Sequence, residues 1–338
     1  MKISYNHKAL LKKLLVSSRM LILLNEFATR RIAILKYHSI QDKPELYDDS
    51  IGLSIIQSTD AFKEQMRLLA SRFNPVTLDD IFQFLMGVKT IKKNAVAITF
   101  DDGYADNFEI AAPILDNYGI RATFYVTVGS IASPNPPWFL RLRHAIWTTK
   151  KNKIVFPGSG NDFRIQNRQD KLKLMRFLSK RCASLAENAL ESTVKEIEQT
   201  LEVEAFAPKS EIMMTWNQIK KLHESGHIIG SHTMHHPNVA FLSKDDLKWQ
   251  LMRSKHILEK EIGAPIRHFS YPNPALSPQF TGETTAAVKE SGYKTAVLSA
   301  NGSVRNGNEP LLLKRLSVSD NKLDFLWNLE CMLLGRNI

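Results

Sequence analysis

Cysteine is scarce in this 338-residue sequence: only Cys182 and Cys331 occur. Two cysteines make no disulfide framework, and they suit a pair of buried thiols as well as a reducing compartment. Long hydrophobic runs are also missing. The strongly apolar stretch from Met20 to Leu24 is far too short to cross a bilayer, and Arg19 interrupts what could have been the core of a signal peptide. The reading is a chain with neither a transmembrane helix nor an export signal, cytoplasmic or peripheral to the inner face of the membrane, with an exported form left open. Acidic residues are in deficit, 34 against 45 lysines and arginines, which favours anionic surroundings. The basic residues are scattered, without aromatic interleaving or zinc-finger spacing, so nucleic acid is set aside as a partner. No internal repeat or low-complexity tract is found.

What is present is an ordinary globular composition and a length that a single α/β barrel with insertions fills comfortably. The stretch that organises it is Ala95-Val-Ala-Ile-Thr-Phe-Asp-Asp-Gly-Tyr104. An uncharged, strand-forming run ends abruptly in two carboxylates and a glycine, so a buried strand delivers Asp101 and Asp102 to the point where it leaves the core. Adjacent carboxylates oppose each other's ionisation, and a metal ligand beside a general base would use both. A plain strand-to-turn junction would also use these residue types.

Residues 1–30 read as a basic amphipathic helix that either lies on an anionic membrane surface or covers one end of a barrel. Arg31 to His38 is the first core strand, with His38 at its carboxyl end as either a structural or a catalytic group. Helices are expected near Asp60 to Ser71, with Asp60 as cap, at Leu78 to Met86, and over Ala105 to Tyr118; a strand follows over Arg121 to Val128. The region 131–210 breaks this rhythm and reads as an insertion with one or two amphipathic helices over Gln169 to Leu201. Strand-helix alternation resumes at Met213, with strands near Ile228, over Arg267 to Tyr271, and as a last pair at Lys294 to Ser299 and Leu311 to Val318. A helix over Leu323 to Leu334 follows. The expected architecture is thus a distorted TIM-like (β/α) barrel over 31–338 with a helical insertion.

The second chemical cluster is Ser231-His-Thr-Met-His-His-Pro237. On a helical turn His232 and His236 would present both imidazoles on one side, close enough to share a metal ion. With Asp102 they would form a one-carboxylate, two-histidine site for zinc or another divalent transition metal. Each cluster follows the end of an expected strand, the face where such barrels gather catalytic groups.

Thr99-Phe-Asp-Asp-Gly-Tyr and Ser231-His-Thr-Met-His-His-Pro, in this order and separation, resemble the first two motifs of the polysaccharide deacetylases of carbohydrate esterase family four, which share a chitooligosaccharide deacetylase homology domain. Weaker similarity runs through Leu35-Lys-Tyr-His-Ser and Phe269-Ser-Tyr-Pro. The resemblance implies a divalent metal, with Zn2+ the leading candidate, held by Asp102, His232 and His236, and Asp101 as general base. It implies an N-acetylated glycan, or a lipid-linked glycan precursor of the cell envelope or capsule, as substrate. Where the family's third motif commonly carries an arginine and ends in glycine, this sequence has Ser270-Tyr-Pro-Asn-Pro274; Asn273 would offer a backbone N–H to the oxyanion, and Arg267 or Arg315 would have to orient the base. The family's C-terminal histidine acid is not recognisable, which leaves His38 as the candidate general acid. A glycan-binding protein without turnover and an O-acetyl esterase stand as the alternatives.

Overall fold

The computed structural model describes residues 5–131, 133, 135–155, 162–185, 187–208, 211–272 and 277–336. Its centre is a curled sheet of eight strands, every pairing parallel: β1 (Ile32–Tyr37), β2 (Asn74–Pro75), β3 (Ala95–Phe100), β4 (Thr123–Val126), β5 (Ile228–Ser231), β6 (His268–Ser270), β7 (Thr295–Val297) and β8 (Leu316–Ser317). The spatial order is β7-β6-β5-β4-β3-β1-β8, and β2 pairs with the first residues of β3. The last two strands do not pair along their length. One isolated parallel bridge, Val297 to Leu313, joins β7 to the segment leading into β8, and β8 then pairs with β1 through Leu35 and Leu316. The barrel closes through this irregular seam.

Alternation with a period of two sorts each strand's side chains. Ile32, Ile34, Ala95 and Ala97 fill the barrel interior with Tyr125, Val297 and Leu313. Their neighbours Ala33, Leu35, Tyr37, Val96, Ile98 and Phe100 face the surrounding helices. On that outer face Tyr37, Phe100 and Phe124 stack across three strands, with ring centroids 5.3 and 4.8 Å apart, stiffening the sheet beneath the carboxyl ends of β1, β3 and β4. The same alternation aims Lys36 within β1, and His38 and Asp101 just past the strand ends, inward.

The helices begin where short polar side chains cap them. Ser58, rather than the expected Asp60, caps Thr59–Arg72 by accepting from the Ala61 N–H at 3.3 Å. Capping boxes open Leu78–Leu85 through Thr77 and Asp80 and Trp216–Glu224 through Thr215 and Gln218. The single helix expected over Ala105 to Tyr118 is a π turn, Asn107–Ala111, running into Ala112–Asn117. Between β4 and β5 stand Trp138–Thr148, Arg168–Ala183 and Glu187–Thr200, packed on a separate core of Leu142, Ile146, Leu174, Leu178, Val194 and Ile197. The loop expected at 157–161 lies outside the described residues.

The basic N-terminal segment forms two helices, Tyr5–Ser17 and Met20–Asn25, broken at Arg19, whose φ is 56°. Both pack on Lys322–Leu333, where the Lys12 ammonium donates to Asp324. Val16 and Leu21 are buried there. No helix among the described residues is long and apolar enough to cross a membrane.

Within Lys322–Leu333 the Glu330 side chain is buried, and neither carboxyl oxygen has a hydrogen-bond partner among the described residues. Burial pushes its carboxyl up to about 7, with Arg72 drawing it partly back. A raised folded-state value favours the protonated form, so this group's contribution declines as pH climbs from the ordinary carboxyl range through about 7. Glu330→Gln is therefore expected to stabilise the protein at pH 8, by roughly 1 to 3 kcal/mol, and to change nothing near pH 4. Thermal melts of both proteins across that range check it, and a constant offset at every pH would refute it.

Candidate metal and catalytic site

The site forms where β3 ends. Asp101 extends the sheet ladder by one bond, its N–H donating to Tyr37 O at 3.0 Å, and the chain then turns through two left-handed residues, Asp102 at φ 75° and Gly103 at φ 89°. Glycine takes that conformation freely, whereas at Asp102 it is strained. The Gly103 N–H donates to Asp101 O at 3.0 Å, and the Met214 N–H to Gly103 O at 2.9 Å, so both sides of the turn are pinned. The two carboxylates are thereby sent in different directions.

Asp101 meets Arg315. This arginine rises from the seam before β8, is wholly buried, and grips Asp101 with two parallel bonds, Nη1 to Oδ1 at 2.8 Å and Nη2 to Oδ2 at 2.6 Å. Its other three N–H groups donate to Leu298 O, Thr99 Oγ1 and Ser270 Oγ at 2.9, 3.2 and 3.1 Å, so all five donors of the fork are used. Burial alone would push the Asp101 carboxyl up, but the Arg315 charge, with His232 and the guanidinium hydrogen bonds, outweighs it and holds the group well below the usual carboxylate range. Arg267, the other arginine considered from sequence, is half exposed and stands 3.8 Å from Asp79, away from the site.

Asp102 meets the histidines. Its Oδ1 lies 3.5 Å from His232 Nε2 and 3.4 Å from His236 Nε2, and the three residues' donor atoms all fall within 4.8 Å of one another. His232 Nδ1 is 2.8 Å from Ser270 O; a carbonyl can only accept, so Nδ1 carries the proton and Nε2 presents its lone pair to Asp102. Asp102 Oδ1 is buried and without a hydrogen-bond partner among the described residues. Burial, then the neighbouring charge of Asp101, raises the Asp102 carboxyl to about 8, while burial lowers both imidazoles. An unsatisfied buried carboxylate oxygen facing two neutral imidazole nitrogens is a donor set that a divalent cation fits.

The two histidines do not share a helical turn, as their spacing suggests. Residues 232–236 form a loop, with Thr233 at φ 68° and His236 at φ 55°, held by the Gln250 Oε1 accepting from the Met234 and His235 N–H groups at 3.0 and 3.1 Å. The third histidine is turned away: the His235 ring stacks on Trp249 with centroids 5.7 Å apart. Phe139 of the inserted helix borders the site instead, its ring centroid 4.9 Å from that of His236.

His38 Nε2 lies 3.9 Å from Asp101 Oδ2 on the same interior face. Burial lowers its imidazole to about 3, partly offset by Asp101. Asn273 lies outside the described residues. Two neighbours were given no role of their own from the sequence. Ser270 binds both halves of the site, its hydroxyl accepting from Arg315 and its carbonyl from His232; its place just before Tyr-Pro-Asn-Pro was the only signal. Lys36 stands two residues before His38 on the same face of β1, with its ammonium pushed down to about 8 by burial and then by Arg315.

The family model for polysaccharide deacetylases matches residues 88–158 and 163–296. Among curated proteins, the chain is 33% identical over 102 residues to the putative polysaccharide deacetylase YxkH of Bacillus subtilis, covering 30% of this chain and 33% of that protein. It is 36% identical over 47 residues to the peptidoglycan-N-acetylglucosamine deacetylase of Bacillus cereus, covering 14% of this chain and 17% of that one. The matches thus span a third or less of these relatives' lengths. Among solved structures, the Streptococcus pyogenes deacetylase PplD in complex with acetate aligns over 90% of this chain and 99% of its own, with a TM-score of 0.60 at 20% identity, a likeness of fold. His38 and Arg315 fall outside the residues that the family model matches, but that match runs from the approach to β3 into β7 and takes in Asp101, Asp102, His232 and His236: this chain belongs to the polysaccharide deacetylase family.

Proposed function

We propose that this protein is a metal-dependent hydrolase that removes N-acetyl groups from an N-acetylated glycan or its lipid-linked precursor in cell-envelope or capsular polysaccharide metabolism. The observation that carries the reading is a carboxylate, Asp101, held ionised by Arg315 and adjacent in the chain to a ligand of the candidate cation site. A protein that only bound glycan would have no use for a base in that place.

In this reading Asp102, His232 and His236 hold a divalent cation, and the donor set suits zinc. When bound, such a cation supplies Lewis acidity, polarising the amide carbonyl and acidifying water. Asp101 accepts the proton of the attacking water, whose oxygen bonds to the carbonyl carbon. Arg315 keeps the carboxylate in one orientation and ionised between turnovers. Ser270 fixes the His232 tautomer. As the C–N bond breaks, His38 gives a proton to the departing amine, and acetate and a free amino sugar result. The resting His38 is neutral, so its proton is acquired within the cycle, and Asp101, 3.9 Å away, is the neighbouring source. The Asn273 N–H is the proposed oxyanion donor, and Phe139 offers an aromatic wall for a sugar ring.

Acetate release from a panel of N-acetylated oligosaccharides, with O-acetylated sugars alongside, tests the reading. Zinc-loaded protein should release acetate from an amide substrate, chelation should stop it, and Asp101→Asn should lower turnover by about a thousandfold or more while glycan binding persists. Release from the O-acetyl sugars alone would make it an esterase. Metal-independent release would overturn the proposed chemistry.

A further inference from the structure

The end of the barrel away from the candidate site carries a surface of its own kind. The strands run parallel, so their starts lie together at the end opposite Asp101 and the histidines, roughly 20 Å away for a six-residue strand. Residues 25–31 cross this far end. Asn25 Nδ2 donates to Asn94 Oδ1 at 2.7 Å, and Lys93 Nζ donates to the carbonyls of Asn25 and Ala28 at 3.2 and 2.9 Å, tying the segment to the residues that enter β3. Arg31 leads directly into β1.

Two kinds of surface meet there. The first is apolar. The helix Met20–Asn25 buries Leu21 and Asn25 but leaves Met20, Leu23 and Leu24 exposed, and Phe27, in the turn that follows, is 91% exposed. These four positions have the i, i+3, i+4, i+7 spacing of one helical stripe. Val88, on the loop that enters β3, is 78% exposed. The second surface is cationic. Arg31, Arg305, Lys314 and Arg336 line a groove of about 490 Å3 with no carboxylate among its described lining residues. The antiparallel bridge between Ile32 and Val304 sets Arg305 beside the start of β1, and Gly335 packs against the Arg31 guanidinium, which brings Arg336 to the same place. Arg305, Lys314 and Arg336 are exposed and form no ion pair among the described residues.

An apolar ridge alone would suit a second copy of the chain or another protein. Flanked by unneutralised guanidinium and ammonium groups, it matches the layered chemistry of a lipid surface, with acyl chains beneath and phosphates above. Two copies meeting through this face would oppose like charges. We propose that this end of the barrel docks on an anionic bilayer, with Leu23, Leu24 and Phe27 entering the headgroup layer and the groove's cations binding lipid phosphates. The mouth that holds the hydrolytic site then faces away from the membrane.

Flotation of the full chain with vesicles tests this, comparing phosphatidylcholine alone with phosphatidylcholine containing one third phosphatidylglycerol. The wild type should float with the anionic vesicles at least about tenfold more strongly than with neutral ones, and raised salt should release it. Two double variants, Leu23→Ser with Phe27→Ser and Arg305→Glu with Arg336→Glu, should each lose about fivefold or more of that binding with unchanged thermal melting, since all four side chains are exposed. No binding to anionic vesicles, or equal binding by wild type and both variants, overturns the proposal. A solution dimer that the Phe27→Ser variant disperses overturns it too, and makes this face a contact between copies.

Discussion

Arg315→Met is expected to cost roughly 3 to 5 kcal/mol of stability at neutral pH and to abolish acetate release. The substitution preserves much of the side-chain volume but strips Asp101 of both guanidinium bonds while leaving its carboxylate buried. Leu298 O and the Thr99 and Ser270 hydroxyls lose a donor at the same stroke. The informative comparison is the double variant Asp101→Leu with Arg315→Met. Removing both charges of a buried pair removes both desolvation costs, so most of the lost stability should return. Activity should not, because the proposed base is gone. Chemical denaturation and acetate release on the wild type, the two single variants and the double variant check this. If the double variant is no more stable than Arg315→Met alone, the pair is not what makes the single change costly.

The second large effect concerns Asp102. Asp102→Asn should weaken zinc binding by more than about a hundredfold, the range that changes to outer partners of metal ligands alone can reach. The anionic member of the donor set is replaced by a neutral amide. In metal-free protein the same substitution should instead raise the melting temperature. The native carboxyl is buried, unpaired at Oδ1 and opposed by Asp101, whereas asparagine carries no charge and tolerates a φ of 75°. Loss of affinity with gain of apo stability distinguishes a ligand from a structural residue, which would lose both. His235→Ala is the control: its ring lies against Trp249, so zinc affinity should be unchanged. Isothermal titration with zinc and melts of chelator-treated protein measure both signs.

Much of this site is legible in the sequence because β-strand alternation is so regular. Once Ala95 and Ala97 are assigned to the interior, Asp101 must follow them inward, and Ile32 and Ile34 carry His38 to the same side. The histidine pair is legible as a pair but not as a shape. Its geometry depends on left-handed backbone at Thr233, a β-branched residue that seldom adopts it, and at His236, and on a glutamine from the α-helix that follows the loop. Arg315 is harder still. It lies 214 positions from its carboxylate partner, and no local pattern favours it over Arg267; only the closing of the barrel selects between them. The inserted helix Trp138–Thr148 follows a proline-rich stretch, and its sequence WFLRLRHAIWT mixes helical spacing with strand-like alternation, so neither period stands out.

The seam between β7 and β8 has a bearing on biosynthesis. A ribosome releases Asp101, Asp102, His232 and His236 long before Arg315, and β8 pairs with β1, the first barrel strand made. A nascent chain that has not reached residue 315 contains the proposed metal ligands but lacks the guanidinium that pairs with Asp101. The buried pair can therefore be completed only after the segment leading into β8 has been made, which places the neutralisation of Asp101 among the last steps of assembly in synthesis order.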